Sequence, residues 1–141
     1  DIQVDNGQFW FGDMVRADEE KAEKDRIGRK LKQIGVLLTG KEHFSLKSVV
    51  YMNLNKRGGI AKANNKVISG YLEKYYEDYI KKEIEIIKPK IIVVSCGNYD
   101  FVHELKKYLD NDFKNVTVKF YYHPAARKRT EDYLKGIDNL I

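Results

Sequence analysis

The spacing of apolar residues changes several times along the chain, and each change predicts an element. Ile27, Leu31, Ile34 and Leu38 recur at the i, i+4, i+7, i+11 positions of a helix that buries one face, predicting a helix over 18–39 with Asp18 as its cap and Gly40 beyond its end. The short run at 48–53 is apolar and partly β-branched and leads into Asn- and Gly-rich sequence, which predicts a buried strand. Leu72, Tyr76, Ile80, Ile84 and Ile87 return to helical spacing behind Ser69, a candidate cap, until Pro89 stops the pattern. Ile91, Ile92, Val93 and Val94 then follow one another without interruption, as in a strand covered on both faces and placed centrally in its sheet. Cys96, Gly97 and Asn98 predict a turn, and Phe101, Val102, Leu105, Tyr108 and Leu109 trace another helix face. Val116, Val118, Phe120 and Tyr122 alternate with Thr117, Lys119 and Tyr121, the period of a second strand. Thr130, Glu131 and Asp132 open a last helix that presents Tyr133, Leu134, Ile137 and Ile141.

Strands alternating with helices predict an α/β fold, with three layers in the order α/β/α around a mainly parallel central sheet. Ligands of such sheets bind beyond the carboxyl ends of the strands. Three loops are thereby expected on one edge, at 53–59, 96–98 and 123–129. The two most basic loops of the chain are among them, which points to an anionic ligand.

Composition narrows the picture. The 141 residues, 43% of them apolar, suit one domain spanning 1–141. No run reaches the roughly 20 apolar residues of a membrane span, and the start lacks the charged-then-apolar layout of a signal peptide, so a soluble cytoplasmic protein with no membrane partner is expected. Cys96 is the single cysteine, which excludes an internal disulfide and a cysteine-based zinc or iron–sulfur site, so neither metal nor cofactor is expected. The net charge of +5 says little by itself. Its distribution says more: Lys56, Arg57, Lys62 and Lys66 stand in a stretch without an acid, and Arg127, Lys128 and Arg129 are consecutive.

Two segments carry candidate chemistry. In the first, Asn53 and Asn55 offer paired donors and acceptors for a base edge, Lys56 and Arg57 supply charge, and Gly58 and Gly59 let backbone N–H groups approach phosphate. Ordinary turn chemistry accounts for the same residue types. In the second, Pro124 fixes the chain after His123 at a strand end, and three cations follow. The imidazole can donate a hydrogen bond to developing negative charge while Arg127, Lys128 and Arg129 hold flanking phosphates. Cys96 occupies a sharp turn but lacks the Gly-x-Ser-x-Gly surroundings of a nucleophile, and a structural role is expected for it, as for His43 and His103.

Taken in order, these motifs resemble the uracil-DNA glycosylase superfamily over residues 46–129. The segment 50–56 looks like the family strand that ends in the asparagine reading the uracil edge. Residues 88–97 are similar to its central Pro-Lys-x-Ile-Val strand, and His123-Pro124-Ala125 looks like its His-Pro-Ser motif. The resemblance implies that Asn53 hydrogen-bonds a flipped base and that His123 stabilises negative charge on the departing base. It also implies that Arg127 and its neighbours lie in the loop that enters the minor groove or grips phosphates. Flipping is required because a glycosidic carbon inside the duplex is out of reach of a protein pocket. Ala125 stands where the family has serine, the cysteines of the cluster-bearing branches are absent, and the Gly-x-x-Pro loop that positions the attacking water is not in this sequence. Phe9 and Trp10 are similar to a pair downstream of that loop in some branches, so the domain is expected to lack its first strand and first motif. Two functions follow as expectations: an enzyme that hydrolyses uracil or a related damaged base from DNA, or a binding module that keeps the fold and the basic edge without catalysis.

Overall fold

The computed structural model of the protein describes residues 19–54, 65–95 and 99–138. The chain is mixed α/β and divides into two compact units. Unit 1 comprises Asp1–Met52 and Pro124–Leu134, and unit 2 comprises Asn53–His123 and Lys135–Ile141.

Unit 1 is helical. Where one long helix was expected, the chain forms α1 (Glu19–Lys24) and α2 (Arg26–Thr39). Asp25 separates them because its backbone is extended and its carboxylate accepts from the N–H groups of Ile27, at 2.8 Å, and Gly28, at 2.9 Å. An aspartate that satisfies these otherwise orphaned donors begins a new helix. The predicted cap Asp18 lies outside the described residues. At the other end Gly40 adopts the left-handed conformation, with φ of 66°, and donates to the Val36 carbonyl at 2.9 Å, the helix stop expected there. Ala22 and Leu46 form a buried cluster with Leu31, Phe44 and Val49 packed against it. Leu46 begins a single 3₁₀ turn, Leu46–Ser48.

The strand expected over 48–53 is not formed. Residues 49–53 are irregular, and Val50 and Tyr51 are exposed at 63% and 39%. Its β-branched residues favour a strand only when another strand takes up their backbone groups, and among the described residues the sheet contains two strands elsewhere.

Unit 2 contains α3 (Asn65–Tyr75), a π-helical turn (Tyr76–Ile80), α4 (Lys81–Ile87), β1 (Ile91–Ser95), α5 (Tyr99–Asp112) and β2 (Thr117–Tyr121). Ser69 lies inside α3 and not at its cap. Helical periodicity from Leu72 to Ile87 is interrupted by the π turn, whose first residue, Tyr76, is buried and stacks on Tyr108 at 4.4 Å. Lys88 ends α4 in the left-handed conformation, and Pro89 follows, as the sequence predicts. β1 and β2 pair in parallel, with Ile91 opposite Thr117 and Ser95 opposite Tyr121. The connection between them is α5, so β1, α5 and β2 make a βαβ unit. Phe101, Val102, Leu105 and Leu109 are buried, confirming the predicted face of α5, and Val94 and Phe120 are the buried strand residues beside them in the sequence pattern. Among the described residues no strand flanks β1 on its other side, so the expected central position is not observed. Tyr121 is also buried, whereas strict alternation places it outward.

The last predicted helix is shorter than expected. It is α6 (Thr130–Leu134), within unit 1. Gly136, at φ of 70°, turns the chain, and Ile137 donates to the Phe120 carbonyl at 2.8 Å within unit 2, so Ile137 is buried without being helical.

Candidate functional site

The parallel register brings the carboxyl ends of β1 and β2 together at Ser95 and Tyr121. His123 follows β2 by two residues, at the strand edge where α/β sheets carry their ligands. It is exposed, yet the desolvation it undergoes pushes its imidazole below the ordinary histidine value, which favours the neutral ring. A neutral imidazole is a donor at one nitrogen and an acceptor at the other. Tyr121 is buried beside this end of the sheet, and burial with the Asp138 carboxylate raises its phenol above the ordinary tyrosine range.

Asn53 belongs to unit 2 and is exposed, but it follows an irregular segment and not a strand. The sheet therefore does not bring it to the edge that carries His123, as the expected strand would have done. Lys56, Arg57, Gly58 and Gly59 lie outside the described residues, as does the turn at 96–98.

Arg127, Lys128 and Arg129 belong to unit 1 and are exposed. Two cations of α2 tie down the chain immediately before them. The Arg26 guanidinium donates to the Ala125 carbonyl, and the Lys30 ammonium donates to the Ala126 carbonyl at 2.8 Å. Lys128 donates its backbone N–H to the same Ala126 oxygen at 2.9 Å. Arg129 is paired with Asp132 at 3.0 Å, and its carbonyl accepts from Tyr133. Lys30 is only 5% exposed, and burial, with the Arg26 and Arg29 charges, holds its amine below the ordinary lysine value.

The basic residues of α2 were missed in the sequence, where the apolar stripe of that helix drew attention to its other face. A signal was available: Arg26, Arg29 and Lys30 stand at i, i+3 and i+4, which places them on one side of the helix. Among the described residues no cluster of His, Cys, Asp and Glu is arranged to hold a metal ion, and no helix is long and apolar enough to cross a membrane.

The class these features define is a mixed α/β protein with a parallel βαβ unit and a basic loop anchored on a helix. Comparison with protein-family models, curated proteins and solved structures found no match.

Proposed function

We propose that the protein binds DNA and removes uracil or a related damaged base by hydrolysis of the N-glycosidic bond. The observation that carries this reading is the position of His123, exposed just past the end of a parallel strand in the sequence His123-Pro124-Ala125, where desolvation shifts its imidazole below the ordinary histidine value and so favours the neutral ring. In the reaction water adds to the sugar carbon, the glycosidic bond breaks, its electron pair leaves with the base, and the proton lost by the water ends, through solvent, on the departed base anion. A neutral His123 donates a hydrogen bond to the oxygen on which that charge develops, an interaction stronger in the transition state than in the ground state. Asn53 is the residue assigned to the base edge. Lys56, Arg57, Gly58 and Gly59, with Arg127, Lys128 and Arg129, are assigned to the nucleic-acid backbone. In this reading the βαβ unit is part of a three-layer, uracil-DNA glycosylase-like fold, and the protein works in the cytoplasm.

The test is incubation with uracil-containing single- and double-stranded DNA, followed by alkaline cleavage at abasic sites. Strand cleavage that depends on uracil is expected. Its absence at stoichiometric protein overturns the assignment as an enzyme.

One observation favours a second reading, a nucleic-acid-binding module without catalysis. Among the described residues no strand leads into Asn53, so the amide lacks the rigid support that a base-reading residue needs. Binding of the same DNA without product formation is the outcome that selects this reading.

A further inference from the structure

Two basic segments far apart in sequence meet in unit 1, since Arg26 and Lys30 donate to the carbonyls of Ala125 and Ala126, just before Arg127, across separations of 99 and 96 residues. Two features of this grouping work against folding. Arg26 and Arg29 lie in the first turn of α2, the positive end of the helix dipole, and that turn contains no acidic residue. Lys30 is buried with no carboxylate in ion-pairing range among the described residues, where Arg26 and Arg29 repel it. The nearest acid in sequence, Asp25, is engaged with the backbone of Ile27 and Gly28. Arg29 and Arg127 are exposed, and among the described residues neither has a carboxylate partner. An anion held by these groups would offset the repulsion that the protein alone leaves in place.

We propose that Arg26 and Arg29 of α2, together with the anchored loop of Arg127, Lys128 and Arg129, form one contact surface for the phosphodiester backbone of nucleic acid. The proposal rests on the nucleic-acid reading above and extends it to a helix outside the motifs that suggested it. Guanidinium groups recognise phosphate in a planar, two-pronged manner, and four of the five cations exposed here, Arg26, Arg29, Arg127 and Arg129, are arginine. A lipid surface is the less suitable partner. The exposed apolar residues of α2, Val36 and Leu37, lie seven and eight positions beyond Arg29, about 10 Å along the helix axis, and Ala125 and Ala126 offer no apolar anchor within the loop. Arg26 has a second role, since its bond to Ala125 helps to fix the loop, so Arg29 is the cleaner probe.

The experiment measures fluorescence anisotropy of labelled single- and double-stranded oligonucleotides over a salt series with the full chain. Wild type is compared with Arg29→Ala, Arg29→Lys and, as a control on the 3₁₀ turn of unit 1, Lys47→Ala. Arg29→Ala is expected to weaken binding several-fold for every sequence and to reduce the slope of log affinity against log salt by about one. Arg29→Lys is expected to keep the slope, and Lys47→Ala to change nothing. Circular dichroism checks that the helix is intact, and Arg29→Gln replaces the alanine variant if it is not. Wild-type binding that Arg29→Ala leaves unchanged in affinity and slope overturns the proposal while leaving the nucleic-acid reading intact. Failure of the wild type to bind either oligonucleotide, or binding only to phosphatidylserine vesicles or to acidic protein, overturns both.

Discussion

The ammonium of Lys30 lies over the ring of Tyr133, 4.4 Å from its centroid, while it donates to the Ala126 carbonyl. The two residues join α2 to α6 within unit 1. A lysine in this setting has two components that oppose each other. Its aliphatic stem and its attraction to the ring stabilise the unit, and the desolvated charge costs free energy.

These components separate by substitution. Lys30→Met keeps most of the stem and removes the charge, so its stability is expected to stay within about 1 kcal/mol of wild type. Lys30→Ala also removes the stem beneath Tyr133 and is expected to lose about 2 kcal/mol. Urea denaturation of both variants measures the difference, and equal losses would show that the charge, not the packing, dominates.

The lowered amine of Lys30 also predicts a pH dependence. Between its folded value and the ordinary value of 10.5 the unfolded chain binds more protons than the folded one, so this group makes stability rise as pH increases through that window. Lys30→Met is expected to remove this alkaline increment, read as the difference between the variant and wild-type pH profiles of the denaturation midpoint.

Gly35 lies inside α2, where alanine is ordinarily the better residue by up to about 1 kcal/mol. Here a Cβ would overlap the ring of Phe44, so the side chain of Phe44 must leave its place against Ala22 and Leu46. Gly35→Ala is expected to destabilise the protein by about 1 to 2 kcal/mol in spite of its helix propensity. The same substitution in a Phe44→Ala background is expected to cost much less, and a double-mutant cycle in urea measures that coupling.

His123 is expected to titrate below the ordinary value of 6.5 in the folded protein. The unfolded chain then binds the proton more tightly, so the stability associated with the neutral ring is present above pH 6.5 and is lost as pH falls through the folded value. Nuclear magnetic resonance of the imidazole protons gives the midpoint directly, and His123→Gln is expected to reduce the acid sensitivity of folding. In the glycosylase reading, His123→Ala is expected to slow base release by about 10²- to 10³-fold.

Asn53→Ala and Arg127→Ala are expected to differ in kind. Loss of the amide is expected to remove base discrimination of about 1 to 3 kcal/mol, whereas loss of the guanidinium weakens binding to all sequences and lowers the salt slope. Binding titrations with uracil- and thymine-containing oligonucleotides over a salt series distinguish the two, and an identical effect of both variants would refute the separate roles.

Sequence by itself determined the features that depend on near neighbours. Gly40 stops α2 and Pro89 follows the end of α4 because the backbone conformation that each permits is a local property. The buried face of α5, marked by Phe101, Val102, Leu105 and Leu109, follows from the same local geometry, because residues three and four apart share a side of a helix. The run from Ile91 to Val94 was legible as a strand on the strength of its branched side chains. Tertiary structure decided the rest. Among the described residues, those from Val49 to Asn53 have much the same side-chain chemistry as a strand but no strand beside them, and a neighbouring strand is supplied only by a distant segment. The site was divided in the same way: His123 was legible from its position after an alternating run, but the burial that lowers its imidazole depends on what packs around the strand end. Nothing in the local sequence marks Arg26 and Lys30 as anchors of a distant loop, and only the fold brings the carbonyls of Ala125 and Ala126 within their reach. Spacing along the chain sets which residues share a face, whereas pairing and desolvation are set by groups far away in sequence, and only the folded chain brings those groups together.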